Sequence, residues 1–163
     1  SYLNDQAQYD YIVNLFRTGR VFPVRGDLTA TTTMRRIAEE LTRFKRHLGV
    51  IYISNCEQYF AKLPATYKAN MLRFPVKKSS LVLRTRPWLE KRKPGQSDKN
   101  LPVSCSGCKT RGKLNYTYMF QDFDNLRAWF TNPKTRLIHH MVQKRATRVK
   151  GKALKLMALP TAP

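Results

Sequence analysis

Acidic residues are scarce in this chain: 10 Asp and Glu stand against 31 Lys and Arg, leaving a formal net charge of +21. A field of that sign draws in nucleic acid, anionic lipid or acidic protein without choosing among them. Cysteine is scarce too, with 3 residues, and an odd count excludes a disulfide framework. No apolar run of about 18 residues and no secretory h-region occurs, so no spanning helix is expected and the cytoplasm is the expected compartment. The chain also lacks a Gly-x-Gly-x-x-Gly or Walker-type loop, a Ser/His/Asp order and a pair of carboxylates at a useful helical spacing. Phosphate cradling and triad hydrolysis therefore have no support. There is no internal repeat.

What is present suits a folded domain. At 163 residues, with 42% apolar residues and 11% aromatics, the chain is long enough to bury a core and too apolar to be disordered. Its charge is uneven. No acid follows Asp124, while Lys134, Arg136, Lys144, Arg145, Arg148, Lys150, Lys152 and Lys155 accumulate in the tail. A second basic stretch, Arg84 to Lys113, has only Glu90 and Asp98 as acids and is punctuated by Pro87, Pro94, Gly95, Pro102, Gly107 and Gly112, as a loop would be. The expected organisation is an α/β unit over 1–132 with a basic insert at about 86–113, then a basic helical or disordered tail over 133–163. The chain opens on Ser1 and enters at once on a helical pattern. It thus reads as a fragment or processed product, its sheet completed by an N-terminal segment or another subunit.

Tyr11, Ile12, Leu15 and Phe16 fall at helical spacing before Gly19, and Arg20 to Val24 reads as a strand made awkward by Pro23. After a Gly26-Asp27 turn, Thr31 to Thr33 offer cap hydroxyls to a helix carrying Met34, Ile37, Ala38, Leu41, Phe44 and Leu48, with Glu39 and Arg43 as an i,i+4 pair and Gly49 as the stop. Val50 to Ile53 is apolar on both faces and reads as a strand buried within a parallel sheet. Strand, helix and strand in that order predict a βαβ unit with the two strands side by side and parallel. Later elements are a helix after Pro64, a strand over Ser80 to Thr85, a half-exposed strand over Leu114 to Phe120, a helix capped by Asp122 or Asp124, and a last helix after Pro133.

Parallel strands empty into ligand crevices at their carboxyl ends. The expected βαβ unit would bring Asp27 to the same rim as Ser54, Asn55, Glu57 and Gln58, a set of carboxylates, amides and a hydroxyl suited to positioning a polar ligand. Plainer roles compete: Ser54 or Asn55 as a helix cap, and Asp27 as ordinary turn chemistry. Cys105 and Cys108 form a CxxC that supplies half of a four-ligand zinc site, with Cys56, His139 or His140 as the remaining candidates. The basic insert and tail, with Tyr116, Tyr118, Phe120 and Trp129 near in sequence, would serve a nucleic acid or another polyanion, although alternation and helical spacing explain those aromatics as core.

The segments Gly19-Arg20-Val21, Gly26-Asp27, Val50 to Tyr59 and Phe74-Pro75 with Ser79-Ser80 and Arg84 resemble a family of uncharacterised bacterial proteins whose members look like S-adenosylmethionine-dependent methyltransferases in fold. The most specific part is the strand end Tyr52-x-Ser54-Asn55-x-Glu57-Gln58-Tyr59, and the similarity spans about Tyr2 to Thr85, with an echo at Tyr116 to Phe130. The resemblance implies the C-terminal half of a Rossmann-like sheet, mostly parallel with a late antiparallel strand and a basic C-terminal helix or tail. It implies S-adenosylmethionine as cofactor of a longer protein, with the glycine-rich cofactor turn outside these residues and no tight cofactor binding or catalysis by this chain alone. The CxxC insert and the basic tail depart from the family pattern.

Overall fold

The computed structural model describes residues 2–89, 114–142, 147–149, 156–158 and 162. The helices are α1 (Gln6–Arg17), α2 (Thr33–Arg43), α3 (Ala65–Leu72), α4 (Phe123–Thr131) and α5 (Ile138–Val142). The strands are β1 (Leu48–Ser54), β2 (Val76–Leu89), β3 (Leu114–Asp122), β4 (Thr147–Val149) and β5 (Leu156–Ala158). They form one mixed sheet in the order β1-β2-β3-β5-β4. β1 and β2 are parallel, β3 lies antiparallel to β2, and β5 is parallel to β3 and antiparallel to β4. No helix among the described residues is long and apolar enough to cross a membrane.

The parallel pair is joined by α3, so a β-helix-β crossover does exist in the chain, shifted one strand later than the sequence pattern places it. Arg20 to Val24, read as its first strand, has no regular structure and pairs with no strand among the described residues. Pro23 has no N–H to offer a ladder, and Phe22 and Val24 are exposed rather than packed. β1 is consequently an edge strand and not a central one. Val50 and Tyr52 are exposed on it, while Ile53 is buried.

The helices form where capping and periodicity agree. Asp5 caps α1 by accepting from the Gln8 N–H at 3.0 Å. Asp122 does the same for α4 with the Asn125 N–H at 2.7 Å. α4 lays Phe123, Leu126, Trp129 and Phe130 on the sheet, joining Val82 and Met119 in the core with Tyr67 and Met71 of α3. α2 contributes Met34 and Ala38, but ends at Arg43 rather than at Gly49, because Leu48 is already hydrogen-bonded to the Pro75 carbonyl at 2.7 Å. Its surface ion pairs are Arg35–Glu39 and Arg43–Glu40, not Glu39–Arg43. α1 buries no residue.

Asn70 ties the segment before α2 to α3. Its amide donates to the Leu28 carbonyl at 3.0 Å and to the Ala30 carbonyl at 2.8 Å, and the side chain is itself buried. Asn70→Ala leaves two carbonyls without a donor and should cost about 1–3 kcal/mol in urea unfolding. A change under about 0.5 kcal/mol would mean that this segment is held by its apolar packing alone.

Candidate functional site

β1 ends at Ser54, whose φ of 55° lies in the left-handed region. A non-glycine residue there turns the chain sharply at a steric cost, and the turn delivers Asn55 into a short 3-10 segment, Cys56–Tyr59. Asn55 stands at the cap position of that segment, yet its side chain makes no cap hydrogen bond. Capping therefore does not account for it.

The carboxylate of Glu57 points inward and is buried. Arg84, from the middle of β2, grips it with both ends of its guanidinium, Nε to Oε2 at 2.5 Å and a second nitrogen to Oε1 at 3.3 Å. Tyr67 of α3 donates its hydroxyl to Oε1 at 2.7 Å. The remaining Arg84 nitrogen donates to the Gln121 side-chain oxygen at 2.7 Å, and the Gln121 amide passes the chain of bonds to Asn125 at 2.8 Å. Five elements, the 3-10 turn, α3, β2, β3 and α4, are thus locked through one polar network.

Burial opposes the charge on Arg84, but the facing Glu57 carboxylate and its hydrogen bonds outweigh that, and the guanidinium is held above its already high value. Burial, reinforced by the Glu57 charge, pushes the Tyr67 hydroxyl well up. The same two causes, burial first, raise the Cys56 thiol to about 11. At neutral pH Cys56 is a protonated thiol, a poor nucleophile and a poor metal ligand.

Around this network lies a small cavity at the end of β1, lined by Ser54, Asn55, Glu57, Gln58, Arg84, Thr85, Met119 and Ile138. Its interior is about 20 Å³, room for a water rather than for a nucleoside. The Tyr52 hydroxyl meets Thr85 Oγ1 at 2.7 Å on its rim, a bond that lowers the tyrosine hydroxyl from its ordinary value. Ser54, Asn55, Glu57 and Gln58 are brought together as the strand-end pattern predicts. Asp27 is not among them. Its carboxylate accepts from the Thr29 N–H at 2.7 Å and the Thr29 hydroxyl at 2.8 Å, and these bonds hold it below the usual carboxylate range. With Arg20 to Val24 outside the sheet, no strand carries Asp27 to the rim, and the turn reading fits it.

The sequence pattern missed the roles of Arg84, Tyr67 and Gln121, although Arg84 fell within the Ser80 to Thr85 strand, at the start of the basic stretch and among the residues of the resemblance. An arginine directly after Leu81-Val82-Leu83 was the available signal, since a charge inside an apolar strand needs a buried partner. Cys105 and Cys108 lie outside the described residues. No group of ligands that would hold a metal occurs among the described residues, and the His140 Nδ1 is engaged with backbone, 3.2 Å from the Arg136 N–H and 3.0 Å from the Lys134 carbonyl.

Two measurements test the network. Glu57→Ala or Arg84→Ala alone strands a buried charge and should cost about 3–5 kcal/mol, whereas Glu57→Leu with Arg84→Met together should recover most of that loss. Single losses below about 1 kcal/mol would show the pair to be solvated. Stability should also fall as pH rises from about 9 towards 11, because the folded Cys56 keeps a proton that the unfolded thiol has released. Cys56→Ala should flatten that slope in urea titrations, and an unchanged slope would assign it to other groups.

No curated protein matches the chain. A family model matches residues 1–158, which hold both the buried network and its cavity: the chain belongs to the family described as Domain of unknown function (DUF7790).

Proposed function

We propose that this chain is the ligand-positioning, C-terminal portion of a methyltransferase-like protein and is not catalytic alone. The observation that carries the reading is the sheet: a parallel pair joined through a helix, an antiparallel strand beside it, and an outer β1 edge that no strand pairs among the described residues. On this reading the sheet corresponds to the second half of a Rossmann-like one, and the free side of β1 would be where the first half docks. The resemblance of the Ser54-Asn55-x-Glu57-Gln58 strand end points the same way.

Residues of this chain do not fit S-adenosylmethionine by themselves. The cavity is water-sized, and its two charged groups neutralise each other. Asn55 and Gln58, whose side chains make no hydrogen bond among the described residues, are the groups left to orient a ligand at the strand end, with the Ser54 hydroxyl already engaged by Tyr52. Such alignment needs no acid, base or nucleophile from this chain. Glu57 belongs to the scaffold that holds them.

A second reading is a basic module that binds a polyanion, supported by the net charge of +21. Arg84 leaves that surface, since it is buried and paired. Residues 84–89 are strand rather than loop, and the rest of the basic insert lies outside the described residues.

Isothermal titration of S-adenosylmethionine into this chain should give no binding heat, and micromolar affinity would overturn the proposal. In the native protein isolated from its own cells, ultraviolet cross-linking of radiolabelled S-adenosylmethionine should mark the peptide holding residues 54–58. Absence of any labelled protein, or label confined to peptides far from that strand end, would count against it equally.

A further inference from the structure

At the amino ends of β1 and β2, the margin opposite the cavity, the chain builds a second polar surface. α2 closes with a Schellman turn, the Arg46 N–H donating to the Leu41 carbonyl at 2.8 Å and the Lys45 N–H to Thr42 at 2.9 Å. Lys45 takes the left-handed position, with φ 52°. α1 closes with the same turn, Arg20 to Leu15 at 2.8 Å, but uses Gly19 there, with φ 64°. Glycine escapes the steric cost that a side chain meets in this region. Turn geometry therefore does not explain why a lysine stands at position 45.

The segment after Lys45 runs straight into β1, where Leu48 binds Pro75 and brings residues 45–47 beside the start of β2. There β2 carries a wide bulge: β1 advances from Leu48 to Val50 while β2 advances from Val76 to Leu81. Buried Ser80 pins it, donating its hydroxyl to the Leu48 carbonyl at 2.6 Å and accepting from the Lys77 N–H at 2.8 Å. Bulges re-aim side chains, and this one extrudes Lys77, Lys78 and Ser79 into solvent.

The turn and the bulge together gather exposed Lys45, Arg46, His47, Lys77 and Lys78 on one margin. Phe44, 62% exposed, lies beside them with the Arg43 guanidinium 4.3 Å from its ring centre. The nearest acids are committed elsewhere: Glu40 to Arg43, Glu39 to Arg35, and Asp122, opposite Leu81, to its helix cap.

We infer that this margin binds single-stranded nucleic acid, with Lys45, Arg46, Lys77 and Lys78 meeting backbone phosphates and Phe44 offering a stacking face. It rests on the polyanion reading of the chain and places the site on a surface that neither the basic insert nor the tail provides. A base stacked on an exposed ring beside spaced cations is how single strands are held. A lipid surface would use the cations without needing the aromatic.

The test is fluorescence anisotropy of the full chain with labelled single-stranded RNA and DNA of about 15 nucleotides, titrated with salt. Lys77→Ala with Lys78→Ala should weaken binding about tenfold and flatten the log-log salt slope by about 1.4, at about 0.7 for each phosphate that is no longer neutralised. The charge-matched Lys62→Ala with Arg17→Ala, both exposed and away from this margin, the insert and the tail, should leave both near the parent values. Lys45→Gly should weaken binding while the melting temperature holds or rises. If the Lys77/Lys78 variant binds like the parent, or the control weakens as much, this inference fails and the polyanion reading stands on the insert and tail. A parent chain that binds neither RNA nor DNA sinks both. Variants that lose only phosphatidylserine vesicles assign the margin to lipid and overturn the inference.

Discussion

The buried Glu57–Arg84 pair is the constraint around which the described structure is arranged. An ion pair taken out of water gains little over apolar packing of the same volume, yet loses heavily when one member is missing. Its presence therefore says more about specificity than about stability. The guanidinium has a fixed fork, and only one placement of the 3-10 turn, β2 and β3 satisfies it together with Tyr67 and Gln121. Register between the parallel strands, the pose of the Ser54–Gln58 segment and the seat of α4 are set at one point. A sheet with few strands and an exposed first helix gains a defined geometry by this means.

The same pair decides what the strand end is able to do. A carboxylate held by two nitrogens and a phenol is not free to take a proton from a substrate, and a fully paired arginine is not free to bind a phosphate. Cys56 beside them stays protonated because the environment is apolar and already carries the Glu57 charge. The polar groups that remain are neutral. This favours orientation over acid-base chemistry, the feature that separates the methyltransferase-like proposal from a hydrolytic one.

Much of the fold was legible in the residues themselves. Periodicity and caps placed α1, α3 and α4, and the buried faces of α4 agree with its spacing of Phe123, Leu126, Trp129 and Phe130. The alternation of Leu114 to Phe120 foretold β3. What failed depended on partners far away in sequence. Val21, Phe22 and Val24 have strand propensity, but no strand among the described residues accepts them, and propensity without a ladder does not make a strand. The Val50 to Ile53 run looks central because it is apolar on both faces, whereas β1 sits at the margin with half of those side chains in solvent. Of the candidate site, Ser54, Asn55, Glu57 and Gln58 fall together at the strand end because they are contiguous. Arg84 and Gln121 were not, since nothing local links them to Glu57 across 27 and 64 positions (84 − 57 and 121 − 57).

The outer margin of β1, with no strand beside it among the described residues, has a colloidal consequence. An unpaired strand with exposed valine and tyrosine is a template on which another copy could add its own strand. Like charges of +21 on each molecule oppose such an encounter over roughly a Debye length, about 10 Å at 0.1 M salt and shrinking as salt is added. Electrostatic self-repulsion thus stands in for the prolines and inward-facing charges by which other sheets guard their borders, and a polyanion that neutralised the molecule would remove that guard while binding it.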